Sequence, residues 1–378
     1  MNDLAEWIAI AKRSLLPFVT FALRLGRTEA RIWAALKLLG RLPMLKQTMA
    51  AFAATLAFSG AALAETDVPF ALDWKFEGPA APYFTAIDNG HFEKAGLSVE
   101  ISAGQGSLDA IPKVATGAFP IGFADINSLI KFLDQNPGAP VTAVMMVYDK
   151  PPFAIVGRKS LGISSPKDLE GKILGAPPPD GAWAQFPAFA TANSLDVDKI
   201  TVEPVGFPTR EPMLAEGNVD AVTGFSFSSF LNLVRLGVPE DDISTILMAD
   251  YGLELYGNAI IVNTEFAEAN PDVVTGFLGA VSQGWKDAIA DPAKAVDSLI
   301  ERNPAADAAL ETRRLELAID ANVVTDAVAE NGIGKVDPAR MERALAQLAE
   351  TYEFQNAPDA SLYFTDAYLP EAEMRMLK

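Results

Sequence analysis

Two stretches of sequence, one hundred residues apart, decide the fold: ATGAFPIGFADINS at residues 115–128 and AEGNVDAVTGFSFS at residues 215–228. Each has the pattern of a helix that ends at a glycine, a short apolar strand, and a loop of small polar residues. A glycine after a helix adopts the left-handed conformation without steric cost, so it marks the helix end. The strand then brings the polar loop to its C-terminal edge, where open α/β sheets bind ligands. The repeat therefore predicts two similar lobes that face one shared cleft.

The sequence around each stretch follows the same order of elements. Strand and helix patterns alternate as β-α-β-α-β, which is typical of parallel sheets with right-handed crossovers. We therefore predict an α/β fold of two lobes, each a mainly parallel sheet flanked by helices, with the ligand cleft between them. Three loops of the first lobe have partners in the second: residues 75–79 with 177–181, 103–107 with 206–210, and 124–128 with 224–228.

The predicted boundaries follow from this order of elements. Residues 65–155 form the first part of lobe 1, residues 156–256 form lobe 2, and residues 257–378 return to lobe 1 and end in helices. The apolar segments 153–157 and 257–263 resemble each other, and we expect them to be the strands that connect the lobes at a hinge.

Composition excludes several classes of function. The formal charge of −19 makes nucleic acid and acidic membrane surfaces poor partners, although a local site can still bind an anion. The chain of 378 residues has no cysteine, which removes thiolate nucleophiles, disulfides and cysteine-linked lipid anchors. Its one histidine, His91, makes a catalytic triad or a zinc site difficult to build. We expect no metal, no cofactor and no catalytic residue.

The N-terminal segment differs from the rest of the chain. Residues 1–64 hold eight basic and three acidic residues, whereas residues 65–378 hold 22 basic and 46 acidic ones. A basic start at Met44, an apolar run over 50–64 and an Ala-Leu-Ala end predict a signal peptide cleaved after Ala64; the alternative is a buried core helix. Residues 1–43 are either an amphipathic membrane-surface helix or lie upstream of a true start at Met44. We expect a soluble periplasmic protein without a lipid anchor.

Several motifs then resemble a known family. Asp73-Trp74, Pro82-Tyr83-Phe84 and NGHFEKAGLSVE at residues 89–100 are similar to the opening of periplasmic substrate-binding proteins of ABC importers. Within them the chain looks like the group that binds nitrate, sulfonates, taurine and thiamine-pyrimidine precursors, and DLEGK at 168–172 and GNVDA at 217–221 extend the match. The resemblance implies a type II two-lobed binding fold with an ABC permease and its ATPase as partners, and we expect the protein to be a monomer.

Candidate ligand-binding residues of lobe 1 lie where its strands end. Aromatic rings there suit a ligand cleft, although aromatic residues are usually core residues. The loop at 104–107 offers backbone N–H groups and a helix start, an arrangement that suits an anion or is simply a tight turn. Asp125 would favour a ligand with hydrogen-bond donors. The candidates are Trp74, Phe76, Tyr83, Gly104, Gln105, Asp125, Asn127 and Ser128.

Lobe 2 contributes a second, more aromatic set. Arg210 could pair with an anionic ligand or form a local surface pair with Glu211. The candidates are Trp183, Arg210, Phe225, Ser226 and Tyr251. Rings on both lobes favour a planar polar ligand, such as a thiamine-pyrimidine-like precursor, over a sulfonate, nitrate or aromatic carboxylate. A pyrimidine-precursor synthase shares this fold family but needs a cysteine-rich motif, and a sensor partner of a membrane kinase is a third alternative.

Overall fold

The computed structural model describes residues 65–377, and the predictions made for residues 1–64 lie outside this range. Two five-stranded sheets form the two lobes, each with helices on both faces. Within residues 65–377, no helix combines the length and the apolar character that crossing a bilayer requires.

The sheet of lobe 1 has the order β2-β1-β3-β10-β4. β1 pairs in parallel with both β2 and β3, whereas β10 is antiparallel to β3 and β4. Four strands therefore run in one direction and one runs against them. The strands are β1 Thr66–Ala71, β2 Leu97–Ser102, β3 Ile121–Asp125, β4 Val141–Met146 and β10 Asn258–Asn263.

The sheet of lobe 2 repeats this plan with the order β7-β6-β8-β5-β9. β6 is parallel to β7 and β8, and β5 is antiparallel to β8 and β9. The single reversed strand thus occupies the same place in both sheets. The strands are β5 Phe153–Arg158, β6 Ile173–Ala176, β7 Thr201–Pro204, β8 Ala221–Phe225 and β9 Ile243–Leu247.

Fifteen α-helices connect and cover these strands within the described residues. Those of the first pass through lobe 1 are α1 Ala81–Asp88, α2 His91–Lys94, α3 Ser107–Ala115 and α4 Ile126–Gln135. Lobe 2 contains α5 Gly181–Ala192, α6 Phe207–Glu216 and α7 Ser226–Arg235. The C-terminal helices are α8 Thr264–Ala269, α9 Pro271–Ala290, α10 Pro292–Arg302, α11 Ala308–Ala318, α12 Asp326–Asn331, α13 Pro338–Ala349, α14 Ala360–Tyr363 and α15 Ala372–Arg375.

The chain crosses between the lobes at residues 147–152 and 248–257, between β4 and β5 and between β9 and β10. The predicted boundary between residues 155 and 156 therefore cuts β5, all of whose residues from Phe153 to Gly157 pair with β8 of lobe 2. The predicted hinge strands are also placed differently, because β5 and β10 each lie inside a sheet and the crossings are the loops beside them.

The C-terminal helices complete the hydrophobic core of lobe 1. α9 and α10 pack against α1, and the fully buried Trp285 of α9 contacts Tyr83 of α1 with ring centroids 6.2 Å apart. Phe277 of α9 meets Phe70 of β1 edge to face at 5.1 Å. This packing fixes the end of β1 and the start of α1, which border the cleft.

Candidate functional site

A cleft between the lobes holds two adjoining cavities of about 380 and 400 Å³. They share three wall residues, Asp73, Trp74 and Phe225. The first cavity is otherwise lined by Leu72, Lys75, Glu77, Pro79, Ala80, Tyr83, Phe123, Tyr148 and Phe227. The second is otherwise lined by Gly106, Ser107, Pro179, Asp180, Gly181, Phe207, Arg210 and Ser228. Loops of both lobes therefore meet at one site.

Aromatic rings form most of the first cavity's wall. Phe123 and Tyr148 meet edge to face at 5.5 Å, and Tyr148 contacts Phe227 of lobe 2 at 6.2 Å. Tyr83 lies 5.8 Å from Phe123, and its buried hydroxyl has no hydrogen-bond partner within residues 65–377. Because this hydroxyl is sealed from solvent, Tyr83 contributes to the cavity wall through its ring.

The second cavity is bounded by rings from opposite lobes. Trp74, which follows β1, meets Phe207 at the start of α6 edge to face with centroids 4.8 Å apart. The Arg210 guanidinium lies 5.5 Å from the centre of the Phe207 ring. Lys75 Nζ lies over the Trp74 ring, 5.2 Å from its centre, so each of these two rings has a cation against one face.

Asp73 is the polar group that both cavities share. Its Oδ2 accepts hydrogen bonds from Ser107 Oγ at 2.9 Å and from Asn258 Nδ2 at 2.6 Å. Its Oδ1 accepts none from any other residue in the range 65–377. The residue is only 4% exposed, yet Oδ1 is not among the atoms of that range that are both sealed from solvent and unpaired. Oδ1 is therefore an open acceptor at the cavity wall. Burial raises the pKa of Asp73 to about 7, more than its hydrogen bonds from Ser107 and Asn258 lower it.

The charges of lobe 2 at the cleft are largely neutralised among themselves. Arg210 is 3% exposed; its Nε donates to Glu211 Oε1 at 2.8 Å, and its Nη2 lies 2.6 Å from the same oxygen. Its Nη1 lies 4.0 Å from Asp180 Oδ2, which also accepts a hydrogen bond from Thr223 Oγ1 at 2.7 Å. Burial raises the pKa of Asp180, while Arg210 opposes that rise. The predicted local pair between Arg210 and Glu211 forms, but both side chains are buried and the pair does not lie at the surface.

The structure brings four of the candidates named from the sequence to the cavity walls: Trp74, Tyr83, Arg210 and Phe225. The other nine lie elsewhere or are engaged in the fold. Within residues 65–377, no cluster of His, Asp and Glu side chains could hold a metal ion.

Asp125, Asn127 and Ser128 cap a helix and do not line either cavity. Asp125 is fully buried and accepts hydrogen bonds from the backbone N–H groups of Asn127 and Ser128 at the start of α4. It also accepts from Asn127 Nδ2 and Ser128 Oγ, both at 2.7 Å. Asn127 donates further to the Tyr256 carbonyl oxygen at 2.7 Å. Both carboxylate oxygens of Asp125 are thus occupied by hydrogen bonds within this cluster. Asp73, and not Asp125, is the carboxylate that lines the two cavities.

The loop at 104–106 offers no free backbone N–H group to an anion. The Gly104 and Gly106 N–H groups donate to the carbonyl oxygens of Trp74 and Asp73, and the Gln105 N–H donates to Asp109 Oδ2. A Cβ at Gly104 would collide with the Leu72 carbonyl oxygen, so this glycine permits close approach of the loop to β1. The tight-turn interpretation fits this loop, and Gln105 is exposed to solvent.

The remaining four candidates lie away from the two cavities. Phe76 packs edge to face on Phe84 at 4.9 Å, and Trp183 stacks on Phe186 at 5.3 Å. The Ser226 N–H donates to the Pro152 carbonyl oxygen. Tyr251 is 38% exposed on the surface.

Several wall residues were missed by sequence reasoning. Asp73 is adjacent to Trp74 in the Asp73-Trp74 motif, and Phe207 lies in the predicted cleft loop at 206–210. The position of each in the sequence could therefore have indicated a place in the cleft wall. Ser107 and Asp180 stood in two other predicted loops, whereas the wall position of Tyr148 depends on β10 pairing with β4.

Comparison with known proteins supports this architecture. The family model described as "NMT1/THI5 like" matches residues 79–295, which is more than half of the chain. The chain belongs to the NMT1/THI5-like family. The family resemblance identified from the sequence is confirmed.

Relatives of this NMT1/THI5-like chain include binding proteins and enzymes. It is 26% identical over 299 residues to the riboflavin-binding protein RibY of Chloroflexus aurantiacus, covering 77% of this chain and 82% of the relative. It is 26% identical over 233 residues to the formylaminopyrimidine-binding protein of Halalkalibacterium halodurans, covering 61% and 68%. It is also 24% identical over 246 residues to an Aspergillus parasiticus protein named 4-amino-5-hydroxymethyl-2-methylpyrimidine phosphate synthase, covering 63% and 71%.

Solved structures share the fold. The alkanesulfonate-binding protein SsuA of Xanthomonas axonopodis, bound to MOPS, superposes with a TM-score of 0.62 at 14% identity and covers 79% of this chain and 99% of its own. The periplasmic aliphatic sulphonate-binding protein SsuA of Escherichia coli gives 0.61 at 14% identity, covering 82% and 91%. The predicted two-lobed periplasmic-binding-protein fold is confirmed.

Proposed function

We propose that this protein is a periplasmic receptor that holds a flat nitrogen heterocycle with N–H donors in its cleft and delivers it to an ABC permease. The observation that supports this most is the open Oδ1 of Asp73 between aromatic walls. Aromatic faces favour a planar ring, and a carboxylate oxygen accepts a charge-assisted hydrogen bond from ring or amino N–H groups.

Charge at the cleft favours such a ligand over a sulfonate or nitrate. The two cavities are lined by three carboxylates, Asp73, Glu77 and Asp180, against two cations, Lys75 and Arg210. Arg210 already bonds Glu211, so an anion would have to compete with a buried carboxylate. The fold is shared with sulfonate binders, but among residues 65–377 the other cation of these walls, Lys75, is exposed and lies over the Trp74 ring.

The two cavities adjoin, and they meet at their shared wall residues Asp73, Trp74 and Phe225. A single substituted pyrimidine ring needs only one cavity. A fused ring system with a polar chain, as in riboflavin, would extend through both, past Trp74 and Phe225.

Isothermal titration calorimetry tests the ligand class. Purified protein that begins at Glu65 is titrated with riboflavin, formylaminopyrimidine, an alkanesulfonate and nitrate under identical conditions. We expect saturable binding of a heterocycle and none of the two anions. Binding of the alkanesulfonate alone would contradict the proposed ligand class.

Export and delivery need a separate test in cells. The proposed signal peptide places the mature N-terminus at Glu65, so N-terminal sequencing of protein from the periplasmic fraction should begin there. Deleting the gene should abolish uptake of the radiolabelled heterocycle, and a copy without residues 44–64 should not restore it. Restoration by that truncated copy would exclude periplasmic delivery.

We also propose that the protein is not an enzyme, despite the synthase names among its relatives. The chain has no cysteine, and His91 lies outside the cleft, 2.7 Å from Asp287 Oδ2. Mass spectrometry of a bound heterocycle after prolonged incubation should therefore recover it unchanged. A stoichiometric chemical product would overturn this part of the proposal.

A further inference from the structure

Arg314 lies on α11 of lobe 1, outside both cavities, yet its side chain is only 2% exposed. Three of its acceptors belong to lobe 2. Nη1 donates to the carbonyl oxygens of Phe227 and Ser228 at 3.4 and 3.2 Å, and Nη2 donates to Asn232 Oδ1 at 3.3 Å. Its Nε donates to Glu311 Oε2 at 2.9 Å within its own helix. One buried guanidinium therefore joins the two lobes.

The same group supports the lobe 1 side of the cleft mouth. Glu77 Oε2 lies 3.6 Å from Arg314 Nη1 and accepts a hydrogen bond across the cleft from Ser228 Oγ at 2.8 Å. Glu311 Oε2 also accepts the Gly78 N–H at 2.6 Å. The loop of lobe 1 and the start of α7 in lobe 2 are thus both attached to Arg314.

We infer that Arg314 is a positioning residue, which fastens the lobes together from behind the cleft without touching the ligand. Glu77, Phe227 and Ser228 line the cavities, and Arg314 bonds or contacts each of them. Part of the free energy that holds the lobes together then comes from outside the ligand site. This inference rests on the proposed function only in treating the cleft as the ligand site.

The chemistry of the network requires arginine. The guanidinium presents a rigid set of five donors, so it reaches acceptors on both lobes at once, whereas a lysine ammonium is a single point charge. If the lobes separate, Arg314 loses its three lobe 2 acceptors but keeps Glu311 as its ion-pair partner. The loss is therefore specific to the arrangement in which the lobes touch.

The next residue in the chain is a matched control. Arg313 also bridges the lobes, with Nη1 and Nη2 donating to the two carboxylate oxygens of Glu240 at 2.6 Å. Its side chain is 42% exposed and that of Glu240 is 47% exposed. Exposed pairs contribute little because water and salt screen them.

Distance measurement between spin labels on the free protein tests the inference. The chain has no cysteine, so Asp198→Cys in lobe 2 and Asp297→Cys in lobe 1, both exposed, place one label on each lobe. We expect a population at the distance given by the structure. Arg314→Lys should lower the ratio of this population to the populations at longer distances about tenfold, because charge-assisted hydrogen bonds are lost. Arg313→Ala should change the ratio by less than about twofold.

A second variant keeps the test decisive if Arg314→Lys does not fold. Asn232→Ala removes one lobe 2 acceptor outside both cavities, and we expect it to lower the ratio about fivefold. Unchanged distances in Arg314→Lys and Asn232→Ala, or an equal shift in Arg313→Ala, would overturn the inference. No ligand is present in this experiment, so a failed ligand panel would refute the proposed function and leave this result standing.

Discussion

Asp73 lies two residues after β1 and Asp125 is the last residue of the neighbouring strand β3, and both are buried carboxylates. Burial raises the pKa of each. Asp125 accepts four hydrogen bonds from Asn127 and Ser128, and both of its oxygens are used at the start of α4. Asp73 accepts two, both on Oδ2, and its Oδ1 stays open at the cleft.

A polar residue at a strand end can have either of two roles, and its hydrogen-bond partners decide which one. When the next residues form a helix, their N–H groups take up the carboxylate, and it becomes a cap. β1 is followed by a loop in place of a helix, so Asp73 is held from the side by Ser107 and Asn258. The hydrogen-bond inventory, more than the position in the sheet, separates a ligand residue from a structural one.

The largest effect should come from Asp73→Asn. The asparagine carbonyl can accept from Ser107 and Asn258, which leaves an NH₂ group in place of the open acceptor. We expect the Kd for a heterocyclic N–H donor to rise about 100-fold, because a hydrogen bond to a charged group is lost. Calorimetry measures the Kd, and chemical denaturation should show a free energy of unfolding within about 1 kcal/mol of wild type. An unchanged Kd would refute the role of Asp73.

Asp125→Ala should have the opposite profile. Removing a cap leaves buried donors of Asn127 and Ser128 without a partner, so the free energy of unfolding should fall by about 2 kcal/mol. Urea denaturation measures this loss. The ligand Kd should change by less than about threefold, since Asp125 lines neither cavity. A loss of affinity larger than that of Asp73→Asn would reverse the comparison.

The pH dependence of ligand affinity tests the role of Asp73. With the pKa of Asp73 at about 7, the ionised acceptor is mostly present at pH 8 and mostly absent at pH 6. A ligand that does not titrate in this range should bind about tenfold more tightly at pH 8. Since the folded pKa is raised, the group's contribution to stability is present below pH 4 and lost as pH rises through 7. Calorimetry at both pH values should show no such change in Asp73→Asn, and a flat wild-type profile would contradict the assignment.

Ser107→Ala should have the smallest effect, and on both properties. Ser107 Oγ donates to the Asp73 carboxylate and accepts from the Asp125 backbone N–H at 3.0 Å, so it links Asp73 to the backbone at the end of β3. We expect a loss of about 1 kcal/mol in unfolding free energy and a Kd about fivefold higher. Denaturation measures the unfolding free energy and calorimetry measures the Kd of the same variant. A change in only one of these two quantities would show that Ser107 does not serve both stability and ligand binding.

Local patterns predicted most of the strands, helices and cleft loops. Gly117 and Gly217 have positive φ values of 74° and 77° after their helices, as the repeat required. β9 was not predicted, because its pairing with β5 depends on a partner about ninety residues earlier in the chain. Local sequence carries little information about such a distant pairing.

The site was harder to predict than the fold. Asp73 depends on Asn258, which lies 185 residues later in the chain, and Asp125 looked equally suitable until its partners were known. Tyr251 and Trp183 have the residue type of a ligand site but face elsewhere. Residue type and loop position locate the cleft, whereas the assignment of each side chain needs the long-range contacts.

A crystal structure of the protein with the heterocycle that binds in the calorimetric panel would show directly whether Asp73 holds the ligand. We expect a ligand nitrogen within about 3.2 Å of Asp73 Oδ1, with its ring between aromatic side chains of the cleft and no ligand atom in contact with Asp125. A ligand that leaves Asp73 Oδ1 without a partner, or that pairs an anionic group with Arg210 in place of Glu211, would contradict the account.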